Sequence, residues 1–311
     1  MKDFSPQHTQ PVSCVACLGN QISHLTTRGE YPIWKCADCG HGWVSPMPNE
    51  EHLDQFYSSE EGIHVQYDFP ERSIRKHAQR LFRWIHQAKR PPGTLLDVGC
   101  GRGVHLEVAR KLGWDVVGVD HSSRAREICL QRGMRICPGL DSLERDFGQG
   151  AFDVITLWEV LEHSRDPHVF LVHLRGMLKD RGILALSTPN FCSVVARANL
   201  ATWHELRPPM HLHYFTPASL EKLLEQCGLK TLNQLTYASY NKTVDRRIDG
   251  ITHALRLPEP VPLLLKTAWY KAAKTYFDRT LQSKMQGLGL LCLSSSSEWT
   301  PLPEFRRYFF G

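Results

Sequence analysis

The sequence lacks any run of about 18 apolar residues, which is the length that a membrane-spanning helix requires, so no such helix is expected. Residues 1–11 are polar and contain no apolar stretch, so no signal peptide is expected either. In the absence of an export signal, the ten cysteines indicate reduced thiols or metal ligands rather than a disulfide framework. We therefore expect a cytoplasmic protein.

An excess of charge of one sign is also missing. The net charge is only +5, charged residues make up 22% of the chain and apolar residues 42%, which is typical of a globular protein. A length of 311 residues indicates one large domain with additions, or two domains. The basic residues concentrate only in residues 72–90, which we interpret as a solvated helix face. With no clear basic patch, nucleic acid is not the expected partner.

The chain is organised around residues 95–103, where two leucines lead into Asp97 and glycines follow at every second position. We interpret this stretch as a strand, a tight turn and the start of a helix, because glycine allows positive φ and close approach of a ligand. The helix start offers free N–H groups to an anion. A nucleotide-like ligand is expected at this turn.

From Thr94 onward, apolar runs alternate with segments of helical spacing. Regular alternation of this kind predicts an α/β fold with a doubly wound parallel sheet and right-handed crossovers. Ligands of such sheets bind beyond the carboxyl ends of the strands. The strands are predicted at 94–98, 115–119, 134–137, 152–157 and 182–187.

Asp120 defines the ligand more closely. It lies at the end of the second predicted strand, about twenty residues after the glycines, where a carboxylate can accept both ribose hydroxyls. This spacing also suits a nicotinamide dinucleotide. However, Gly-x-Gly-x-x-Gly is absent, and Asp97 before the turn would repel a pyrophosphate and attract an ammonium group. A ligand with a ribose, an adenine and an amino-acid tail satisfies these constraints, and S-adenosylmethionine is such a ligand.

Two CxxC pairs near the N-terminus are separated by eighteen residues. Each pair suits a tight turn that directs two sulfurs to one point, and four thiolates form a closed tetrahedral zinc site. A closed site leaves no coordination position for catalysis, so a structural Zn²⁺ in a small zinc ribbon is predicted. Four unrelated free cysteines, or His41 replacing one cysteine, are the alternatives. The expected ligands are Cys14, Cys17, Cys36 and Cys39.

Taken together, these motifs resemble class I S-adenosylmethionine-dependent methyltransferases over residues 93–235. The matching segments are 95–103, 117–122, 152–155 with 159–163, and 182–190. Residues 211–216 with 220–228 resemble the subgroup that contains ubiquinone-biosynthesis O-methyltransferases. The CxxC ribbon running into residues 39–48 resembles zinc-ribbon methyltransferases of sugar and cell-surface glycan pathways. The family fold implies a seven-stranded sheet completed by strands at 229–237 and 287–293, with the last strand antiparallel.

The resemblance implies a set of cofactor-binding residues: Asp97, Gly99, Gly101, Asp120, His121, Asp141 and Trp158. Asp97 is expected near the methionine amino group, Asp120 on the ribose, His121 beside the adenine, and Trp158 flanking the cofactor. The contact with the adenine amino group stays open. Either Leu140 occupies that position and a backbone group binds the adenine, or the register shifts and Asp141 binds it.

Methyl transfer to oxygen or nitrogen also needs a general base in many cases. The candidate catalytic residues are His163, His211 and His213, and Glu159 and Glu162 are candidates for orienting a base. His211 and His213 are two residues apart, so they would share one face if both lay in a strand.

The predicted domains are a zinc ribbon at 1–48, a helical linker or lid at 49–92, a methyltransferase domain at 93–295 with a helical insertion at 238–286, and a tail at 296–311. The aromatic and basic helix at 261–281 would pack as core or lid, lie on a membrane or lipid-linked substrate, or form a dimer contact. The oligomeric state stays open.

Three functions are consistent with these features. The first is methyl transfer to a small-molecule acceptor, with a sugar or glycan-linked substrate expected from the ribbon. The second is RNA methylation with the ribbon as recognition module, which the mild charge disfavours. The third is a non-catalytic scaffold of the same fold, which the intact cofactor motifs disfavour. The acceptor atom is not determined.

Overall fold

The computed structural model describes residues 11–58, 70–237 and 289–296. The predicted insertion at 238–286, with its helix at 261–281, and the tail from residue 297 lie outside the described residues. No described helix is both long enough and apolar enough to cross a membrane.

The central sheet has seven strands in the order β10-β11-β8-β7-β4-β5-β6. The five strands from β8 to β6 in this order pair in parallel. Strand β11 runs antiparallel to both β8 and β10. This confirms the predicted α/β class and the antiparallel last strand. The strands are β4 (Thr94–Val98), β5 (Asp115–Val119), β6 (Arg135–Cys137), β7 (Phe152–Trp158), β8 (Leu178–Pro189), β10 (Lys230–Tyr237) and β11 (Gly289–Ser295).

Helices connect the parallel strands, as the alternating pattern predicts. One of them, at Leu140–Phe147, is not predicted from the sequence, because it is only eight residues long and follows a short strand. Two 3₁₀ turns lie at Leu161–His163 and Leu200–Thr202. The α-helices are α1 (Glu50–Ser58), α2 (Glu71–Ile85), α3 (Val104–Lys111), α4 (Ser123–Gln131), α5 (Leu140–Phe147), α6 (Pro167–Met177), α7 (Val194–Ala198) and α8 (Pro217–Gln226).

The core lies on both faces of the central sheet. On one face, helix α2 buries Leu81, Phe82 and Ile85 beside the strand residues Leu95 and Val154. On the other face, residues of β4 and β7 pack against α6 and α8. The buried sheet holds the strand ends in fixed positions, so side chains at its carboxyl edge are well placed to form a site.

The second sheet joins the N-terminal ribbon to the main domain. It has the order β1-β2-β3-β9, with β1 at Ile22–Arg28, β2 at Tyr31–Cys36 and β3 at Gly42–Val44. The fourth strand, β9, is His213–Tyr214, which the chain reaches only after the fifth strand of the central sheet. Gly42 pairs with Tyr214, and Trp43 pairs with His213. His211 precedes β9, so the shared-face geometry expected for His211 and His213 in one strand is not observed.

Candidate functional site

The glycine-rich turn after β4 has the predicted strand–turn–helix geometry. Gly99, Gly101 and Gly103 all have positive φ, at 69°, 52° and 74°. The turn is held to the end of β5, because the N–H of Gly99 donates to the carbonyl of Val119 at 2.8 Å. A Cβ at Gly99 would lie 2.6 Å from Val160 Cγ2, whereas a Cβ at Gly101 would have no atom of the described residues within 4 Å. Gly101 therefore faces open space, as a ligand cradle requires.

Asp120 directs its carboxylate at this turn. Its Oδ2 accepts the N–H of Gly101 at 2.7 Å, and its Oδ1 accepts the N–H of Ser122 at 2.9 Å. Each oxygen keeps a further lone pair, so the group can still accept hydroxyl donors. These two bonds fix the carboxylate beside the open cradle. The position fits a ribose-binding carboxylate.

His121 and Asp141 lie at the ends of the next two strands of the edge. His121 is exposed, and its ring is near Gly139, where an added Cβ would lie 3.8 Å from His121 Cε1. Asp141 is exposed in the first turn of α5, and Leu140 is partly buried beside it. Both alternatives for the adenine contact are therefore still available, and both residues remain predicted cofactor ligands.

Asp97 is a buried acidic residue at the cofactor edge, by which we mean the carboxyl ends of β4, β5 and β6. Asp97 is 1% exposed, its Oδ1 accepts the Thr156 hydroxyl at 2.6 Å, and its buried Oδ2 has no hydrogen-bond partner among the described residues. Burial raises its pKa to about 7, the Thr156 hydrogen bond opposes this, and the charge of Asp120 adds to it. A buried carboxylate oxygen without a partner fits a cationic ligand group. The ammonium group of S-adenosylmethionine is such a group.

Trp158 lies at the end of β7, as predicted, and stacks against a residue that the sequence does not single out. Its ring centroid is 5.7 Å from that of His105, with 30° between the planes. His105 Nε2 and Trp158 Nε1 are both buried, and the described part of the chain offers neither a hydrogen-bond partner. Burial lowers the pKa of His105 to about 3, so the ring is neutral. The position of His105 in the first turn after the glycines is the sequence signal that could have identified it.

A second group of polar side chains lies beyond β7. Glu162, His163 and His211 bring one ligand-type atom each to within 4.8 Å of the others. The rings of His163 and His211 meet edge to face, with centroids 4.9 Å apart. The structure thus brings together two of the three predicted catalytic histidines. Their donor set of two imidazoles and a carboxylate could also hold a divalent cation.

Backbone carbonyls determine the tautomers of both rings. His163 Nδ1 lies 2.6 Å from the carbonyl of Met210, and His211 Nδ1 lies 2.8 Å from the carbonyl of Glu205. A carbonyl only accepts, so each Nδ1 carries the proton and each neutral ring keeps its lone pair on Nε2. Burial lowers the pKa of His163 and lowers that of His211 to about 3. Both rings are therefore neutral at pH 7.

Glu162 is fully buried between these groups. Within residues 11–58, 70–237 and 289–296, neither of its carboxylate oxygens has a hydrogen-bond partner. Burial raises its pKa well above the ordinary range, and the charge of Glu159 adds to this effect. A buried carboxyl beside two neutral imidazoles needs a proton, a metal ion or a donor group of a ligand to be satisfied.

Residues from two distant elements complete this edge. Glu159 has a positive φ of 55°, and its Oε1 accepts the hydroxyls of Ser187 at 2.6 Å and Tyr237 at 3.1 Å. Tyr57 of α1 donates to the carbonyl of Met210 at 3.4 Å, beside His163. Neither tyrosine is predicted from the sequence, because each reaches the edge only through the folded topology.

His213 is the third predicted catalytic residue, and the structure places it in the interface with the ribbon. It is fully buried, and its Nδ1 lies 3.2 Å from His41 Nε2. Burial lowers its pKa to about 4. The three histidines therefore do not form one cluster. The rings of His163 and His211 contact each other, whereas His213 forms a hydrogen bond with His41.

The four ribbon cysteines converge as predicted. Cys14 Sγ and Cys39 Sγ are 3.7 Å apart, Cys17 Sγ and Cys36 Sγ are 3.6 Å apart, and all four sulfurs lie within 4.8 Å of one another. A tetrahedral site with Zn–S bonds of about 2.3 Å would place its sulfurs about 3.8 Å apart. The cysteine cluster therefore has the dimensions of a zinc site.

Comparison with known proteins agrees with this arrangement. Residues 70–234, more than half of the 311-residue chain, match the family described as "Methyltransferase domain". Ubiquinone biosynthesis O-methyltransferase of Chelativorans sp. (strain BNC1) is 32% identical over 163 residues, covering 49% of this chain and 64% of that protein. The protein of the same name from Cereibacter sphaeroides (strain ATCC 17025 / ATH 2.4.3) is 33% identical over 154 residues, covering 45% and 61%. The chain thus matches less than two thirds of the length of these relatives.

Among solved structures, the crystal structure of the cyclase SpnF superposes with a TM-score of 0.52 at 16% identity. The match covers 82% of this chain and 99% of that chain. At this identity the likeness is one of fold.

Proposed function

The chain belongs to the class I S-adenosylmethionine-dependent methyltransferases, and on that premise we propose that it transfers a methyl group to a hydroxyl of a small-molecule acceptor. S-adenosylmethionine, when bound, supplies an electrophilic methyl group on a sulfonium. The protein has to bind this cofactor, align the acceptor oxygen with the methyl group, and remove the hydroxyl proton. The pair of neutral imidazoles on His163 and His211 is the observation that carries the proposal.

Cofactor binding is assigned to the edge formed by β4, β5 and β6. The unpartnered oxygen of Asp97 would accept the ammonium group, and Asp120 would accept the ribose hydroxyls. Gly101 leaves open space in which the cofactor can contact the backbone. His121 and Asp141 would lie on the adenine side, and Trp158 would flank the cofactor. These assignments are supported by the geometry of the edge and by the family resemblance.

Proton removal is assigned to His163 or His211. Each ring is neutral at pH 7 and has its lone pair on Nε2, so each can accept a proton from a hydroxyl. An imidazolium formed on either ring would lower the pKa of the Glu162 carboxyl, which lies within 4.8 Å of both rings, because a carboxyl next to a cation ionises more readily. We do not assign this step to His213, since it is fully buried against His41 of the ribbon and lies outside the cluster of Glu162, His163 and His211.

A divalent cation is the second candidate for acceptor activation. Glu162, His163 and His211 present three donor atoms within 4.8 Å. A cation at this position would bind the acceptor oxygen and lower its pKa, so that no protein base is needed. Addition of Mg²⁺ or Mn²⁺ after treatment with EDTA distinguishes the two mechanisms, provided that elemental analysis shows the ribbon zinc to be retained. Turnover that needs the added ion supports the cation, and turnover that persists without it supports the imidazole base.

For the acceptor, the relatives and the ribbon indicate different molecules. The curated relatives are named for O-methylation in ubiquinone biosynthesis, which supports a phenolic hydroxyl. The ribbon resemblance supports a sugar or glycan-linked hydroxyl, soluble or lipid-linked. We favour the phenolic hydroxyl, because residues 211–216, which carry His211 and His213, resemble the subgroup that contains ubiquinone-biosynthesis O-methyltransferases.

The experiment that tests the function has two steps. Calorimetry with S-adenosylhomocysteine first measures cofactor binding, and an absence of binding would support the non-catalytic scaffold. Transfer from labelled S-adenosylmethionine is then measured on catechols, sugar nucleotides and RNA fragments in parallel. Methylation of catechols at a rate that salt does not change supports the proposal. Methylation of RNA that salt suppresses would replace it with the RNA function.

A structural Zn²⁺ in the four-cysteine site completes the proposed function. It would close the ribbon without an open coordination position, so it would support the fold and leave the chemistry to the central sheet. Reduced, zinc-bound cysteines would support action in the cytoplasm.

A further inference from the structure

The second knuckle of the ribbon, defined as residues 36–41, contacts residues 213–216, which follow His211 in the chain. Strand β3, which follows the knuckle, pairs with β9 through Trp43 and His213. The N–H of Val44 also donates to the carbonyl of Leu212 at 2.9 Å. The ribbon is therefore joined by backbone hydrogen bonds to the stretch that begins at His211.

Two side-chain contacts bind the knuckle itself to the same stretch. His41 Nε2 lies 3.2 Å from His213 Nδ1, and both residues are fully buried. The His41 ring also packs against Trp43 and Phe215. On the other side of β9, the Thr216 hydroxyl donates to the carbonyl of Cys39 at 2.7 Å. The knuckle thus holds residues 213–216 at both ends.

The residues just before β9 connect this contact to Glu162, His163 and His211, which together we call the acceptor edge. The N–H of Leu212 donates to the carbonyl of Glu162 at 2.8 Å, and the carbonyl of Met210 accepts His163 Nδ1 at 2.6 Å. His211 lies between these two residues. A shift of residues 210–213 would therefore move both His211 and the carbonyl that determines the tautomer of His163.

We propose that metal binding by the ribbon positions the imidazoles of His163 and His211, and that His41 is the positioning residue that transmits this effect through His213. The role of these imidazoles rests on the proposed function. The knuckle is suited to transmission because it contains two of the four cysteines, Cys36 and Cys39. It is closed by hydrogen bonds from Gly40 N–H to the carbonyl of Cys36 and from Cys36 N–H to the carbonyl of His41.

Two substitutions separate this role from simple packing. His41→Phe keeps an aromatic ring against Trp43 and Phe215 but removes the hydrogen bond to His213. His41→Gln keeps a group of similar reach that can either donate to or accept from His213 Nδ1. The readouts are the imidazole ¹⁵N spectrum of His163 and His211 and the hydrogen exchange of residues 210–214. Neither readout depends on methyl transfer, so a failure of the proposed function would be recognised separately.

In His41→Phe with its zinc retained, we expect altered ¹⁵N signals of His163 and His211 and exchange that is at least about tenfold faster in residues 210–214. His41→Gln should restore both readouts, and binding of S-adenosylhomocysteine should be unchanged in both variants. Removal of zinc from the wild-type chain should reproduce the His41→Phe spectrum. If His41→Phe does not fold, the change of the His163 and His211 signals on zinc removal tests by itself whether metal binding positions the two imidazoles. Unchanged signals after zinc removal would overturn the proposal.

Discussion

The Thr156 hydroxyl donates a hydrogen bond of 2.6 Å to one carboxylate oxygen of Asp97, on the neighbouring strand. The other oxygen of Asp97 is buried and has no partner among the residues that the structure describes. The threonine holds the carboxylate in one orientation. As a result, the unsatisfied oxygen has a fixed position at the edge of the sheet. In the protein without ligand, this group opposes folding, because burial disfavours its charge. The same property makes it a strong site for a cation.

The first prediction concerns the contribution of Asp97 to the affinity of the protein for the cofactor. Asp97→Asn removes the buried charge that would bind the ammonium group, and loss of one partner of a buried charge pair costs about 2–5 kcal/mol. We therefore expect binding of S-adenosylhomocysteine to weaken at least about 30-fold by calorimetry. Asp115→Asn, at an exposed position at the opposite end of β5, is the control and should bind normally. Equal affinity in the two variants would remove Asp97 from the site.

The second prediction concerns the pH dependence of stability. The Asp97 pKa is raised from 3.8 to about 7 in the folded protein, so the unfolded chain loses this proton first as the pH rises. The contribution of Asp97 to the free energy of unfolding is therefore complete below pH 4 and is lost as the pH rises to about 7. A shift of about 3 pKa units corresponds to about 4 kcal/mol. Relative to the wild type, Asp97→Asn should gain roughly this amount in urea unfolding between pH 4 and pH 8, without ligand.

The outcome that contradicts this second prediction is a stability difference that does not change with pH. It would mean that Asp97 ionises normally in the folded protein, and that a proton is not what satisfies its buried oxygen. Saturating S-adenosylhomocysteine provides the matched control. It should reduce the pH dependence of the wild type, because a bound ammonium group keeps the carboxylate ionised.

The third prediction compares two glycines that both have positive φ. Gly101 and Gly133 have φ values of 52° and 65°, and in the part of the chain that the structure describes no atom would lie within 4 Å of a Cβ at either position. Alanine should therefore destabilise the chain by a similar amount in both cases, about 1–2 kcal/mol. Only the Cβ at position 101 would enter the cofactor cradle. We expect Gly101→Ala to weaken S-adenosylhomocysteine binding at least about tenfold beyond Gly133→Ala. Equal binding by the two variants would show that the open space at Gly101 is not the cradle.

The sequence predicts the central sheet well, and the physical reason is local. Strands β4 and β5 have the predicted bounds, because a strand buried on both faces is a short apolar run ended by a turn. The glycine turn is predicted for the same reason, since its backbone conformation depends on the residues within it. The Asp97 and Asp120 carboxylates follow from their places at strand ends.

The acceptor edge is predicted only in part, because it depends on contacts between distant segments. The period-two spacing of His211 and His213 suggests one shared face, but only His213 is in a strand, and that strand has two residues. Its pairing with Trp43 gives no apolar pattern that a sequence could display. The contribution of Tyr57 likewise depends on how α1 packs, so it could not be predicted from its neighbours.

The fourth prediction concerns the ribbon metal. The wild-type chain should contain about one zinc ion per molecule by elemental analysis, since four thiolates make a closed site. Cys36→Ser should lose most of this zinc and lower the thermal unfolding temperature, because metal binding contributes directly to folding. Cys292→Ser is the matched control, as Cys292 is also a buried free thiol but lies in β11. Zinc content that is independent of Cys36 would contradict the four-cysteine site.

The last prediction concerns the imidazoles of the acceptor edge. His163→Ala and His211→Ala should each leave S-adenosylhomocysteine binding intact, and loss of a general base lowers turnover by about 10²–10⁴-fold. His24→Ala, an exposed position of the ribbon, should retain full turnover. Burial lowers the pKa of both rings from the ordinary 6.5, to about 3 for His211, so protonation inactivates the base only below pH 6.5. With saturating S-adenosylmethionine, which keeps Asp97 ionised, the pH profile of kcat/KM for the acceptor in the wild type should therefore fall with a midpoint below pH 6.5. A fall centred near pH 6.5 would mean that the base is an imidazole open to solvent, and neither His163 nor His211 in the observed geometry would qualify.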